Sequence, residues 1–231
     1  MGYTFDFSWL NAAALHLLAR GMGVSLQITF IAMLAGIAWG TLVALMRLSG
    51  HKALNILAAT YVTVFRLVPL VMVLLWFFLI VPDLLQHLFN LSSAADMRLV
   101  SALVAFALFE AAYYSEIIRA GIQSVPASQQ HAAYALGMTY TQSMRLVVLP
   151  QAFRNMIPLL LTQGIILFQD TSLVYVIALA DFFGQAYGLG ERSGAVVEAL
   201  FFVGAAYFVI CYGISLLVKR YQYRAGRGHM S

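Results

Sequence analysis

The sequence predicts an all-α integral membrane protein with about five transmembrane helices. Of its 231 residues, 62% are hydrophobic and only 10% are charged, whereas a soluble domain averages about a quarter charged residues. The apolar residues also fall in long runs, which can cross a bilayer at a rise of about 1.5 Å per residue. The single Cys211 lies inside one of these runs, which excludes a disulfide framework or a cysteine metal site.

The chain divides into an N-terminal segment, a membrane domain and a tail. Residues 1–20 are mildly amphipathic and include Trp9, so we expect them to lie at a membrane interface. The membrane domain covers residues 21–218, and a basic tail follows at residues 219–231. The expected spans are residues 21–46, 53–82, 99–118, 155–168 and 195–218.

Two of these spans carry local signals. In the first, Gly36 and Gly40 form a small-xxx-small pattern that suits close helix packing. The second is too long for one straight crossing and contains Arg66 and Pro69. Since proline interrupts the helical hydrogen bonds, we expect a kinked or split helix with Arg66 near the bend.

Lysine and arginine counts predict the orientation of the spans. One side collects Arg47, Lys52, Arg119, Arg145, Arg154, Lys219, Arg220, Arg224 and Arg227. The other side has Arg20, Arg98 and Arg192. This asymmetry places the N-terminus outside and the C-terminus in the cytoplasm. It also accounts for the net charge of +4 without nucleic acid as a partner.

Residues 119–154 form a polar loop on the predicted cytoplasmic side. Ser128 can cap a first short helix, and Gly137 stands where a helix ends in a left-handed residue. Thr139 and Gln142 predict a capping box that opens a second helix. Pro150 then marks a break or a new helix start. Because the alanines leave a face with little side-chain bulk, we interpret this loop as a docking element.

No catalytic motif accompanies these elements. The sequence has no GxxxxGK[ST], HExxH or GxSxG pattern and no cysteine–histidine cluster, so we expect neither enzyme activity nor a metal site in this chain. The loop also resembles a DNA-binding helix-turn-helix with Gly137 in the turn. Its second helix offers a single basic residue, Arg145, close to a span, which argues against DNA binding.

The loop is similar to the cytoplasmic EAA loop of ABC importer permeases. That pattern has Glu-Ala-Ala, glycine at the seventh place and Leu-Pro at the nineteenth and twentieth. Counted from His131, the matching positions are Ala132, Ala133, Gly137, Leu149 and Pro150. His131 departs from the pattern because it replaces the glutamate, which removes any ion pair that the glutamate would make with an ATPase.

The resemblance extends over nearly the whole chain. The segments FRLVPL (residues 65–70), SEIIRAGIQS (115–124) and QDTSL (169–173) resemble motifs of the polar amino acid branch of these permeases. Over longer stretches around these motifs, the sequence looks most like the permease subunit of glutamate/aspartate importers. The resemblance implies a type I ABC importer fold in the bacterial inner membrane. It also implies ATPase subunits that use ATP, a second permease subunit, a periplasmic binding protein and no cofactor in this chain.

Charged residues inside spans are costly and therefore have a partner or a function. Arg66 can pair with Glu110 in the third span, hydrogen-bond to backbone at Pro69, or act as counter-charge to an acidic substrate. Asp170, Thr171 and Ser172 are either helix caps or contacts for a substrate at a broken helix. An ion-gradient-driven secondary transporter is the alternative function.

Overall fold

The computed structural model describes residues 5–89 and 96–227, and this part of the chain is helical throughout. The elements in chain order are α1 (Ala12–Leu48), α2 (Lys52–Leu67), α3 (Leu70–Phe89), α4 (Arg98–Gln123), α5 (Ala127–Ala135), α6 (Tyr140–Ser143), a π-helical turn (Met144–Val148), α7 (Leu149–Asp170), a 3₁₀ turn (Thr171–Ile177), α8 (Phe182–Ser193) and α9 (Val196–Arg227). Five segments of the described chain are long and apolar enough to cross a membrane: Ala12–Leu48, Leu70–Leu88, Arg98–Gln123, Tyr140–Ile177 and Val196–Gln222.

The first helix is longer than its predicted span. α1 begins at Ala12, where the Asn11 side chain accepts from the backbone N–H of Ala14, and it continues without a break. The helix therefore begins before the predicted span, and residues 12–20 are helical and continuous with it. Trp9 is only 6% exposed and packs edge-on against Phe202 of α9, with ring centroids 5.8 Å apart. Residues 1–4 of the predicted N-terminal segment lie outside the described residues.

The second predicted span is split, as Arg66 and Pro69 suggested. α2 ends at Leu67, Val68 adopts an extended conformation, and α3 begins at Leu70. The predicted end of this span at residue 82 is wrong, since Pro82 lies inside α3. Proline is tolerated there because a long apolar helix keeps its remaining hydrogen bonds.

α4 is the central helix and contacts α1, α2, α3 and α7. Its closest approach is to α1, where Gly36 and Gly40 face Glu110 and Tyr114. A Cβ atom added at Gly40 would lie 2.8 Å from the carbonyl oxygen of Ala111. The small-xxx-small pattern is thus a packing surface, which confirms the prediction.

The C-terminal half differs from the prediction mainly at its boundaries. The fourth predicted span, residues 155–168, extends at both ends because the π-helical turn runs directly into α7. Pro150 is the second residue of α7, directly after the π-helical turn. α9 continues through most of the predicted tail to Arg227, and the remainder of that tail lies outside the described residues.

Candidate functional site: the α5–α6 hairpin and the intramembrane polar groups

The loop that matches the EAA pattern is a compact helical hairpin, hereafter the hairpin (residues 127–148). Gly137 has a φ of +80°, and α5 ends there with Gly137 N–H donating to Tyr134 O (2.9 Å) and Met138 N–H to Ala133 O (3.1 Å). These two bonds form a Schellman motif, whose left-handed position favours glycine. The glycine prediction is confirmed.

The second helix of the hairpin opens with the predicted capping box. The Thr139 N–H donates to Gln142 Oε1 (2.8 Å), and the Gln142 N–H donates to Thr139 Oγ1 (3.4 Å). The predicted Ser128 cap is wrong, because α5 starts one residue earlier, with Pro126 at its N-cap position. α6 has only four residues and merges through the π-helical turn into α7, so the hairpin has no free recognition helix for DNA.

The hairpin is fixed to the two spans on either side of it. Asn155 Nδ2 donates to Ser124 Oγ (2.8 Å), which joins the start of α7 to the end of α4. Below this bond, the side chain of Met156 packs on Gly121, where an added Cβ would lie 2.9 Å from Met156 Cβ. Gln151 Nε2 of α7 also donates to Gln129 Oε1 of the hairpin (3.4 Å), so the hairpin, α7 and α4 are joined by one set of contacts.

The hairpin exposes several large apolar side chains among its polar ones. Ala133 is buried, whereas His131, Ala132 and Gly137 are exposed. The larger exposed apolar side chains around them are Leu136 (79% exposed), Tyr140 (64%) and Leu146 (62%). Exposed apolar patches of this kind are typical of protein interaction sites.

The intramembrane charges do not form the pair that the sequence suggested. Glu110 is fully buried, and its carboxylate accepts from Gln163 Nε2 at 3.3 and 3.1 Å. Arg66 is exposed, and its guanidinium lies 5.4 Å from the ring centroid of Tyr113. The predicted Arg66–Glu110 pair is wrong, because a closer polar partner for Glu110 comes from α7. The sequence analysis did not identify Gln163 as the partner of Glu110. A glutamine inside the predicted fourth span was the signal that could have indicated it.

The segment Asp170–Ser172 lies where α7 changes into the 3₁₀ turn. Thr171 is fully buried, and its hydroxyl donates to Phe168 O (2.7 Å). The Asp170 side chain makes no capping hydrogen bond to the 3₁₀ turn. Within the described residues, neither Asp170 nor Glu110 forms an ion pair.

Asp181 joins α8 to α1, and the sequence analysis did not single it out. Its fully buried carboxylate accepts from Gly184 N–H (2.9 Å), from Phe183 N–H (3.2 Å) and from Ser25 Oγ of α1 (3.4 Å). Burial raises the pKa of Asp181 to about 6 against these hydrogen bonds. The residue caps α8 and holds it against α1.

We expect Asp181→Ala to lower stability by about 1–2 kcal/mol, because α8 loses its cap, whereas Asp181→Asn keeps an acceptor. Since folding raises this pKa above its ordinary value of 3.8, the wild-type protein should lose stability as the pH rises from about 4 to about 6. Thermal unfolding of the purified protein on both sides of this range measures both effects. An asparagine variant that kept the full wild-type pH dependence would contradict the assignment to Asp181.

The comparisons with known proteins bear on this geometry directly. Residues 36–227 match the family model described as binding-protein-dependent transport system inner membrane component. The chain belongs to this family. It is therefore a multi-pass inner-membrane permease of the ABC transporter class.

Two relatives show how closely this permease follows known ones. It is 58% identical over 217 residues to the glutamate/aspartate import permease protein GltK of Escherichia coli O6:H1, which covers 94% of this chain and 96% of that protein. It also superposes on the crystal structure of an amino acid ABC transporter with histidines, with a TM-score of 0.84 and 32% identity over 96% of this chain and all of that one. The MetNI methionine ABC transporter, at 18% identity and a TM-score of 0.70 over 92% of this chain, shares the fold.

Proposed function

We propose that this permease subunit moves glutamate and aspartate across the inner membrane in an ATP-driven importer. The observation that carries the proposal is the 58% identity to the glutamate/aspartate permease GltK over nearly the full length of both chains. The exposed Arg66 of the membrane domain supports it, because a guanidinium there can attract a carboxylate of an acidic amino acid.

The hairpin is the proposed docking site for the ATPase. ATP is used by that partner, and this chain contributes no catalytic group and no cofactor. The exposed apolar side chains of Leu136, Tyr140 and Leu146 form a surface that a groove in a partner can cover. Since His131 replaces the glutamate of the EAA pattern, docking here relies on apolar contact around Ala132 and Gly137, with Leu149-Pro150 ending the hairpin.

A second permease subunit is proposed to pack against the groove between α7 and α9. This groove has a volume of about 520 Å³ and carries polar side chains that include Thr162, Gln169, Tyr212 and Ser215. Polar side chains on the outward face of membrane helices are normally covered by protein or line a water-filled path, because lipid cannot hydrogen-bond them. A periplasmic binding protein completes the importer on the opposite side of the membrane from the hairpin.

Coupling then follows from the rigid attachment of the hairpin. When the ATPases close, they displace the hairpin, and α7 follows through the Gln151–Gln129 bond and the π-helical turn. The Asn155–Ser124 bond and the Gly121–Met156 contact then move α4 together with α7. These helices bear Glu110 and Asp170, so the same motion changes access to the substrate path. This is rigid-body coupling without covalent chemistry in this chain.

Arg66→Ala tests the substrate path at Arg66, Pro69 and residues 170–172. We expect the half-saturation of glutamate uptake to rise by about tenfold, the effect of losing one charged hydrogen bond, with little loss of protein, since Arg66 is exposed. Thr63→Ala, one turn earlier on α2, serves as the control. Uptake kinetics and immunoblots of membranes measure both quantities. A loss of protein with unchanged half-saturation would assign Arg66 to the fold instead.

The partners are tested by mass spectrometry of what co-purifies with the tagged chain from its own host's membranes in mild detergent. The proposal predicts an ABC ATPase and a homologous permease at comparable abundance. Recovery of this chain alone, even after crosslinking at the hairpin, would favour a secondary transporter.

The substrate is tested by uptake of labelled glutamate in the host with and without this gene. Unlabelled aspartate should compete with the gene-dependent uptake, and unlabelled arginine should not. Competition by arginine alone would overturn the assignment of acidic substrates while leaving the importer class intact.

A further inference from the structure

Three arginines from three helices meet where α1, α2 and α4 pack together. Arg47 of α1 forms an ion pair with Glu116 of α4, and Arg119 Nη2 lies 2.7 Å from the other oxygen of the same carboxylate. Arg66 of α2 reaches the same junction, with its guanidinium over Tyr113. These residues are called the arginine cluster (Arg47, Arg66 and Arg119).

The arginine cluster has more positive charge than its single carboxylate can balance. Three guanidinium groups and one Glu116 carboxylate leave two positive charges over, because Arg47 and Arg119 share that single carboxylate. Like charges held together in this way favour the arrival of an anion, which lowers their mutual repulsion. The cluster is accessible to one, because Arg66 is exposed and the Arg47 and Arg119 side chains retain 20% and 27% of their exposure.

The cluster also forms part of a continuous polar stripe on one face of α4. Along this face, side chains three or four residues apart are Tyr113, Glu116, Arg119 and Gln123. Arg119 Nη1 donates to Gln123 Oε1 (2.6 Å), and Gln123 lines the groove of about 490 Å³ beside the hairpin. Ten residues of helix span about 15 Å. The stripe therefore leads from the level of Arg66 to the end of the bundle that carries the hairpin.

We propose that the arginine cluster is an exit path for carboxylates, along which an acidic amino acid leaves the substrate path for the cytoplasm. The inference rests on the proposed function, because it takes the transported substrate to be an anion. Arg66 receives the carboxylate first, and Arg47 and Arg119 attract it towards Gln123. Arg66 lies over Tyr113, about 15 Å of helix from Gln123, which favours a crossing substrate over a lipid headgroup that stays at the membrane surface.

The test uses the complete importer reconstituted in vesicles, with labelled glutamate transported per ATP hydrolysed as the readout. Arg119→Gln should lower this ratio about threefold, which lies within the range for one partly exposed charge. The binding protein should still stimulate ATP hydrolysis. Arg119→Lys should restore the ratio, because attraction of an anion needs the charge rather than the fork of the guanidinium. Lys52→Gln, which removes a cation at the start of α2 and outside the cluster, is the matched control.

Each other outcome is decisive. A wild-type ratio in both Arg119→Gln and Arg47→Gln overturns the exit path, and Arg47→Gln alone serves if Arg119→Gln does not fold. If Arg119→Lys is as impaired as Arg119→Gln, Arg119 instead has a structural role, in which its guanidinium bonds Glu116 and Gln123 together. Loss of the Arg119→Gln effect in vesicles of neutral phospholipid assigns the cluster to anionic headgroups. Wild-type vesicles that transport no acidic amino acid refute the proposed function itself.

Discussion

Gly137→Asp is expected to abolish transport while the protein still accumulates in the membrane. Gly137 is exposed and has a φ of +80°, and nothing lies within 4 Å of a Cβ added there. The fold therefore has room for a side chain, and aspartate is among the residues that tolerate this left-handed conformation. The ATPase interface, in contrast, should not tolerate a charged side chain at this position. Burying an unpaired carboxylate costs several kcal/mol, which lowers ATPase affinity by more than about tenfold.

Gly137→Asn is the matched control for this prediction. Asparagine has nearly the same shape as aspartate and tolerates the same φ, but it carries no charge. We expect it to keep most of the transport activity. Glutamate uptake and co-purification of the ATPase should fail together in the aspartate variant alone. Uptake at the wild-type rate by Gly137→Asp would contradict the docking role of the hairpin.

Gly40→Leu is expected to prevent stable folding of the permease. The added Cβ would lie 2.8 Å from Ala111 O, 3.0 Å from Ser115 N and 3.0 Å from Tyr114 Cβ. Two of these atoms belong to the backbone of α4, the central helix, so no side-chain rotation can relieve the contact. Overpacking of this kind costs about 1–3 kcal/mol and occasionally more, and here the whole α1–α4 interface would have to separate.

Gly23→Leu, on the same helix, separates packing from helix propensity. Gly23 is exposed and has open space around it, with nothing within 4 Å of an added Cβ. Leucine is the better helix former by most of a kcal/mol, so this variant should be as stable as the wild-type protein or more so. Thermal unfolding in detergent and abundance in membranes compare the two. Equal stability of both variants would refute the α1–α4 packing account.

The order of the spans could be predicted from sequence because the signals are local. Apolar runs, the Pro69 break, the Gly137 turn and the Thr139–Gln142 capping box each depend on a few neighbouring residues. Their boundaries were less accurate, since an apolar run shows where a helix is hydrophobic and does not show where its backbone hydrogen bonds begin and end. This is why α1 includes residues 12–20 and α3 includes Pro82.

The partners of the buried polar groups could not be predicted from sequence. Glu110 contacts Gln163, which is 53 residues away along the chain, and Ser25 contacts Asp181 across 156 residues. Depth along a span suggested that Arg66 and Glu110 could meet, but depth does not specify which face of a helix a residue occupies. Glu110 lies on the face of α4 that contacts α1 and α7, away from the guanidinium of Arg66.

The central claim is that this permease works in an ATP-driven importer of acidic amino acids. Its most direct test is the accumulation of labelled glutamate by vesicles that contain the purified complex, with the binding protein outside and ATP either present or absent inside. The account predicts accumulation that requires ATP and persists when ionophores collapse all ion gradients. Accumulation without ATP that stops when the gradients collapse would contradict it and identify a secondary transporter.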